Sequence, residues 1–141
     1  MSDHGLGRRR SSRFRGGAVW LFIALAGCVS NETKPIDIYP EDICSTCRMA
    51  FSDHRFASEI INDKTEVFKF DDIGCMMQFK DSEDDLKIIA MYLKDYDTRE
   101  WIRYERAFIV ETNVRTPMGS GKVAFADSSK AVEFQKMHPK N

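Results

Sequence analysis

Phe68-Lys69-Phe70-Asp71-Asp72 can be laid over Val123-Ala124-Phe125-Ala126-Asp127 at an offset of 55 residues. In each stretch a strand-like run ends in an aspartate, and a helical pattern begins just beyond it. The same register sets Phe79 over Phe134 and Lys80 over Gln135. Aspartate before an apolar-periodic segment is a helix N-cap signal, because its carboxylate accepts the first free backbone amides. Two copies of strand, capping aspartate and helix predict a duplicated α+β unit. A solenoid would need more copies.

The first copy reads as a complete β-β-α-β unit. Residues 55–61 form a strand, Asn62-Asp63-Lys64-Thr65 supplies turn chemistry, and residues 66–70 alternate with a period of two. Asp72 caps a helix in which Ile73, Met76 and Met77 recur at helical spacing. An acidic run over 81–85 ends it, and 86–93 return as a strand. The spacing of Cys75, Met76 and Met77 is that of a buried helix face, so these three are read as core.

In the second copy, residues 101–111 are strand-like, 113–121 a loop, 122–126 a strand, and 128–137 a helix capped by Asp127. A clear last strand is missing. The predicted fold class is therefore α+β, with two related β-β-α-β modules, 42–96 and 97–141, packed as one small domain.

What precedes the modules is not fold. Arg8, Arg9, Arg10, Arg13 and Arg15 form a basic block, 18–26 a short apolar run, and Leu25-Ala26-Gly27-Cys28 follows at once. That order is the order export processing requires. The apolar run is too short to span a bilayer as a stable helix. The tetrapeptide resembles the lipobox of bacterial lipoproteins, in which the cysteine is lipidated and becomes the mature N-terminus. This predicts a signal peptide over 1–27, lipidation of Cys28, and a tether over 28–41 containing Pro35 and Pro40. Loss of the leader removes five arginines and Asp3 from 21 basic and 22 acidic residues, leaving 16 and 21 and a net charge of −5. Such a domain has no electrostatic reason to bind nucleic acid.

Three cysteines then remain, Cys44, Cys47 and Cys75, an odd number that argues against a fully disulfide-stapled scaffold. Cys44-Ser45-Thr46-Cys47-Arg48-Met49 puts two thiols and a thioether within six residues. Soft sulfur donors select Cu(I), whereas a structural zinc site needs four ligands and no second pair is visible in the sequence. The alternatives are a structural disulfide, or a redox pair as in a thiol–disulfide oxidoreductase. The redox reading is weakened because no helical pattern opens at the pair, and a helix N-terminus is what stabilises an attacking thiolate. Met118 sits between Pro117 and Gly119 at a loop tip. It is either a residue folding back onto the domain or a further sulfur donor. His54 and His138 are isolated, with no nucleophile–base arrangement around them, so the chain is not read as an enzyme. His54 lies near enough to Met49 in sequence to offer a nitrogen.

Taken together, the lipobox at Cys28, Cys-x-x-Cys-x-Met over 44–49, Phe-Asp-Asp-Ile-Gly-Cys over 70–75 and Thr-Pro-Met-Gly-Ser-Gly over 116–121 resemble the NosL family, copper-binding lipoproteins associated with nitrous oxide reductase. The resemblance covers most of the mature chain. It implies a Cu(I) metallochaperone serving nitrous oxide reductase or its copper-site assembly machinery. The chain is further expected to be a monomer, anchored to a membrane by lipid and facing the periplasm or cell exterior. Carried over by position, it implies Cys47, Met49 and Met118 as Cu(I) ligands, with Cys44 and His54 as further candidates. Arg48 stands where family members often have glycine.

Overall fold

The computed structural model describes residues 33–140. The expected signal peptide and lipidated Cys28 lie outside the described residues. Two antiparallel sheets and two helices make up the domain. β1 (Ser58–Asn62), β2 (Val67–Phe70), β3 (Ile88–Lys94) and β4 (Trp101–Arg103) form a four-stranded sheet in the order β2-β1-β3-β4. β5 (Phe108–Glu111) and β6 (Lys122–Phe125) form a separate hairpin. Helix α1 (Ile73–Ser82) follows β2, and α2 (Ser128–Met137) follows β6. Among the described residues no helix is long and apolar enough to cross a membrane.

Both expected caps form. Asp72 accepts the Gly74 amide at 2.7 Å, and Asp127 accepts those of Ser129 and Lys130 at 2.7 and 3.1 Å. Behind each cap the same aromatic pair closes the helix onto its strand. Phe70 meets Phe79 at 5.2 Å and 55°, and Phe125 meets Phe134 at 5.2 Å and 52°. The sequence offset is thus an offset between two copies of one packing arrangement. The missing last strand of the second copy is reduced to one bridge, Thr112 to Pro139.

Two elements differ from expectation. The first strand starts only at Ser58, because Asp53 caps a single 3-10 turn, His54–Phe56, ahead of it. The run 101–111 is broken by a second 3-10 turn, Tyr104–Arg106, where Glu105-Arg106 interrupts the alternation. Its first part joins the large sheet beside β3, and its second part begins the hairpin.

The inner face of the large sheet carries Ile60, Phe70 and Leu93, which pack with Ile73, Cys75 and Met76 of α1. A second cluster gathers Phe56, Val123, Phe125 and Ala131 around Tyr96 and Phe134. On the outer face, Lys69, Glu59, Tyr92 and Arg103 lie in register across the four strands. Residues 33–41, expected to belong to the tether, lie with Asp42 against this row. The Ile36 amide meets the Glu59 carboxylate at 3.1–3.2 Å, Tyr92 Oη donates to the Thr33 carbonyl, and Asp37 bridges to Lys94 at 3.3 Å. Lys69 Nζ reaches the Asp37 carbonyl and Asp42 Oδ2 at 2.7 and 2.6 Å.

Candidate metal site

The cysteine stretch is a closed loop. Ile43 bridges Ala50, the Cys44 amide donates to the Met49 carbonyl at 2.8 Å, and the Arg48 amide donates to the Cys44 carbonyl at 3.0 Å. Closing so small a ring requires a left-handed residue, and Arg48 takes that conformation with φ 63°. Two contacts dock the loop on the strand–helix junction of the first module. The Ser45 amide donates to the Lys69 carbonyl at 2.8 Å, and Thr46 Oγ1 donates to the Cys75 carbonyl at 3.0 Å.

Docking brings Cys44, Cys47 and Cys75 together with Asp71. One ligand atom from each lies within 4.8 Å of all the others. All three cysteines are free thiols. Cys44 and Cys75 are buried, while Cys47 is half-buried and lies 3.5 Å from Asp71 Oδ1. Burial pushes the Cys47 thiol up, as do Cys44 and Asp71 beside it, against a lowering by the Met49 amide. Burial also pushes up Cys75, reinforced by the neighbouring Cys44. The Cys47 and Cys75 thiols are therefore held protonated, and a cation that binds them must displace their protons.

Beside the cluster lies the loop of the second copy. Thr116 is buried, whereas Met118 at the tip is 46 % exposed. Asp72, next to Asp71, accepts from Thr116 Oγ1 at 2.6 Å and from the Met118 amide at 2.9 Å. Burial works against ionising Asp72, but hydrogen bonds from Ser120, Thr116, Met118 and Gly74 outweigh it and hold the carboxyl below its usual range. Met49, on the cysteine loop, is 56 % exposed.

The structure thus brings Cys44 and Cys47 into one cluster and leaves the Met49 and Met118 side chains exposed on the two loops around the strand–helix junction. His54 goes elsewhere. It lines a cavity of about 310 Å³ with Asp37, Ile38, Ser52, Asp53, Lys94 and Arg99. Two members of the cluster, Asp71 and Cys75, were not among the residues the sequence nominated. The signal for Asp71 was the Asp-Asp pair before the helix. One aspartate suffices for the cap, so the other is a carboxylate buried at a strand end for some other purpose.

Four groups of this kind can hold a soft or borderline cation. Three thiolates and a carboxylate complete a tetrahedral set, and three thiolates alone a trigonal one.

A model of the NosL family matches residues 35–139. Among solved structures, the crystal structure of the copper chaperone NosL from Shewanella denitrificans superposes with a TM-score of 0.66 at 17 % identity, covering 77 % of this chain and 90 % of that one. At that identity the likeness is one of fold. No curated protein matches the sequence.

Proposed function

The chain belongs to the NosL family, and on that premise we propose that it is a copper chaperone that takes up Cu(I) as cargo and releases it to a partner. The observation that carries this reading is the cluster of three free thiols within 4.8 Å, entered through half-buried Cys47. Thiolate and thioether donors favour Cu(I) over harder ions. A carrier must also release what it binds, which a fully enclosed cage resists. Cys47 is the half-buried thiol of the cluster, and Met49 and Met118 are exposed on the two loops around the strand–helix junction; we assign these three as the Cu(I) ligands that exchange metal with the partner. Cys44, buried and within 4.8 Å of Cys47, is a further candidate ligand. A carrier of this kind is not an enzyme.

The finer parts of the reading follow the sequence. Copper goes to nitrous oxide reductase or its assembly machinery. The domain is a monomer held at the membrane through lipidated Cys28 and faces the periplasm or cell exterior.

Zinc is the competing cargo, because Asp71 and Cys75 supply a second pair of ligands that is not visible in the sequence. Anaerobic titration of the reduced protein against a Cu(I) chelator, repeated with Zn(II), decides between them. One tightly held Cu(I) per chain with weak zinc binding is expected. Equal or tighter zinc binding would overturn the copper reading.

A further inference from the structure

We infer that Asp72 is a positioning residue for the metal site, holding the backbone of Met118 against the start of the helix that carries Cys75. The inference rests on the reading above, in which Met118 is a ligand.

A helix cap needs one carboxylate oxygen. Asp127, the equivalent cap one repeat later, uses Oδ1 for both of its helix amides. Asp72 divides its two oxygens. Oδ1 takes the Gly74 amide at 2.7 Å, and Oδ2 takes Thr116 Oγ1 at 2.6 Å and the Met118 amide at 2.9 Å. These last two partners lie 44 and 46 residues away in sequence. Oδ2 therefore joins two modules rather than finishing one helix.

The loop is built to receive that contact. Gly119 and Gly121 adopt φ of 74° and 65°, and a Cβ at Gly121 would lie 2.4 Å from the Thr112 carbonyl oxygen. The Gly119 amide closes back on the Thr116 carbonyl at 3.0 Å, and the Gly121 amide on Thr116 Oγ1 at 3.2 Å. The backbone is thus fixed from both sides, while the Met118 side chain, with its three rotatable bonds, remains 46 % exposed.

A wholly buried carboxylate is costly unless its hydrogen bonds are good ones. Here those from Thr116 Oγ1 and the Met118 amide hold the loop that presents an exposed thioether. Fixing the backbone in advance lowers the entropy lost when the sulfur closes on a metal. The arrangement does for a ligand loop what an outer hydrogen bond does for a metal-bound histidine.

The test is a double-mutant cycle on reduced protein, read as Cu(I) affinity by chelator competition. Asp72→Asn retains a capping side chain. Thr116→Val removes one donor to Oδ2 and leaves the cap untouched. Each variant is expected to weaken Cu(I) binding by about tenfold or more, the range for an outer group that orients a ligand. Neither should weaken it further in a Met118→Ala background. If Asp72→Asn does not fold, as its apo melting curve will report, Thr116→Val alone carries the test. Should Met118→Ala leave affinity unchanged, the ligand reading itself fails. Should Met118→Ala weaken binding while Thr116→Val and a folded Asp72→Asn do not, the positioning role is wrong. Equal losses with and without Met118 would also overturn it, because the effect would then not pass through that residue.

Discussion

Gly74 and Ser120 interlock. A Cβ built on Gly74 would lie 2.6 Å from Ser120 Cβ, so the second-copy loop lies where a side chain on the first turn of α1 would stand. Ser120 cannot retreat cheaply, since its hydroxyl also accepts the Lys122 amide at 3.2 Å. Gly74→Ala is therefore expected to lift the loop from the helix. Overpacking of this kind costs about 1–3 kcal/mol. Apo melting curves should show that loss, and Cu(I) affinity should fall with it. An alanine variant as stable and as tight-binding as the parent would mean that the loop is not held where the structure has it.

The three thiols should differ in what their loss does. Cys47 is half-buried, so Cys47→Ala is expected to abolish tight Cu(I) binding with little change in apo stability. Cys44 and Cys75 lie inside the main core. Removing either should weaken binding less and also lower apo stability, by about 1–2 kcal/mol on the scale of a small buried side chain. Because burial keeps the thiols of Cys47 and Cys75 protonated, affinity for Cu(I) should rise with pH as protons compete less. Chelator competition across pH 6–9 measures this. A pH-independent affinity would mean that neither of these thiols ligates.

The parts of this architecture that could be read in the sequence are those set by neighbours along the chain. The caps at Asp72 and Asp127 follow from local chemistry and both are present, whereas Met118, which the sequence left between folding back onto the domain and donating a sulfur, is exposed. Cys75 was read as core from helical spacing, and it is buried. Periodicity reports burial, however, and says nothing of what a buried thiol faces. Only the docking of the 44–49 loop on α1 brings Cys44 and Cys47 to it. The packing of residues 33–42 was hidden for a similar reason. That stretch has no periodicity of its own, and its partners are a row of charged and polar side chains spread over β1, β2, β3 and β4.

Arg48 occupies a left-handed conformation, with φ 63°. For an L-residue that costs about 1–2 kcal/mol, whereas glycine adopts it without steric penalty and loses about 0.5–1 kcal/mol through its freer unfolded chain. Arg48→Gly should therefore stabilise the apo domain by about 0.5–1 kcal/mol. It should leave copper affinity close to that of the parent, since the loop keeps its shape. Urea unfolding gives the first quantity and chelator competition the second. A destabilised glycine variant would show that the arginine side chain makes a contribution larger than the strain.

Glu59 is expected to make folding depend on pH. It is fully buried in β1, and burial lifts its carboxyl to about 7 from an ordinary 4.5, despite the Ile36 amide and the nearby Lys69 and Lys94. Because the folded value lies above the unfolded one, the native state binds this proton more tightly. The stabilisation from protonated Glu59 is complete below about pH 4.5 and is lost as pH rises through about 7. A difference of that size corresponds to about 3 kcal/mol at most, and rearrangement of the outer segment would reduce it. Asp37 and Asp42, which face the same row, are held below their ordinary range and so contribute only at more acid pH. Urea unfolding at pH 5 and pH 8 should show the parent less stable at the higher pH. Glu59→Gln, which cannot ionise, should remove most of that difference. If the two proteins lose stability equally between these values, the pH dependence arises elsewhere and Glu59 is not the group responsible.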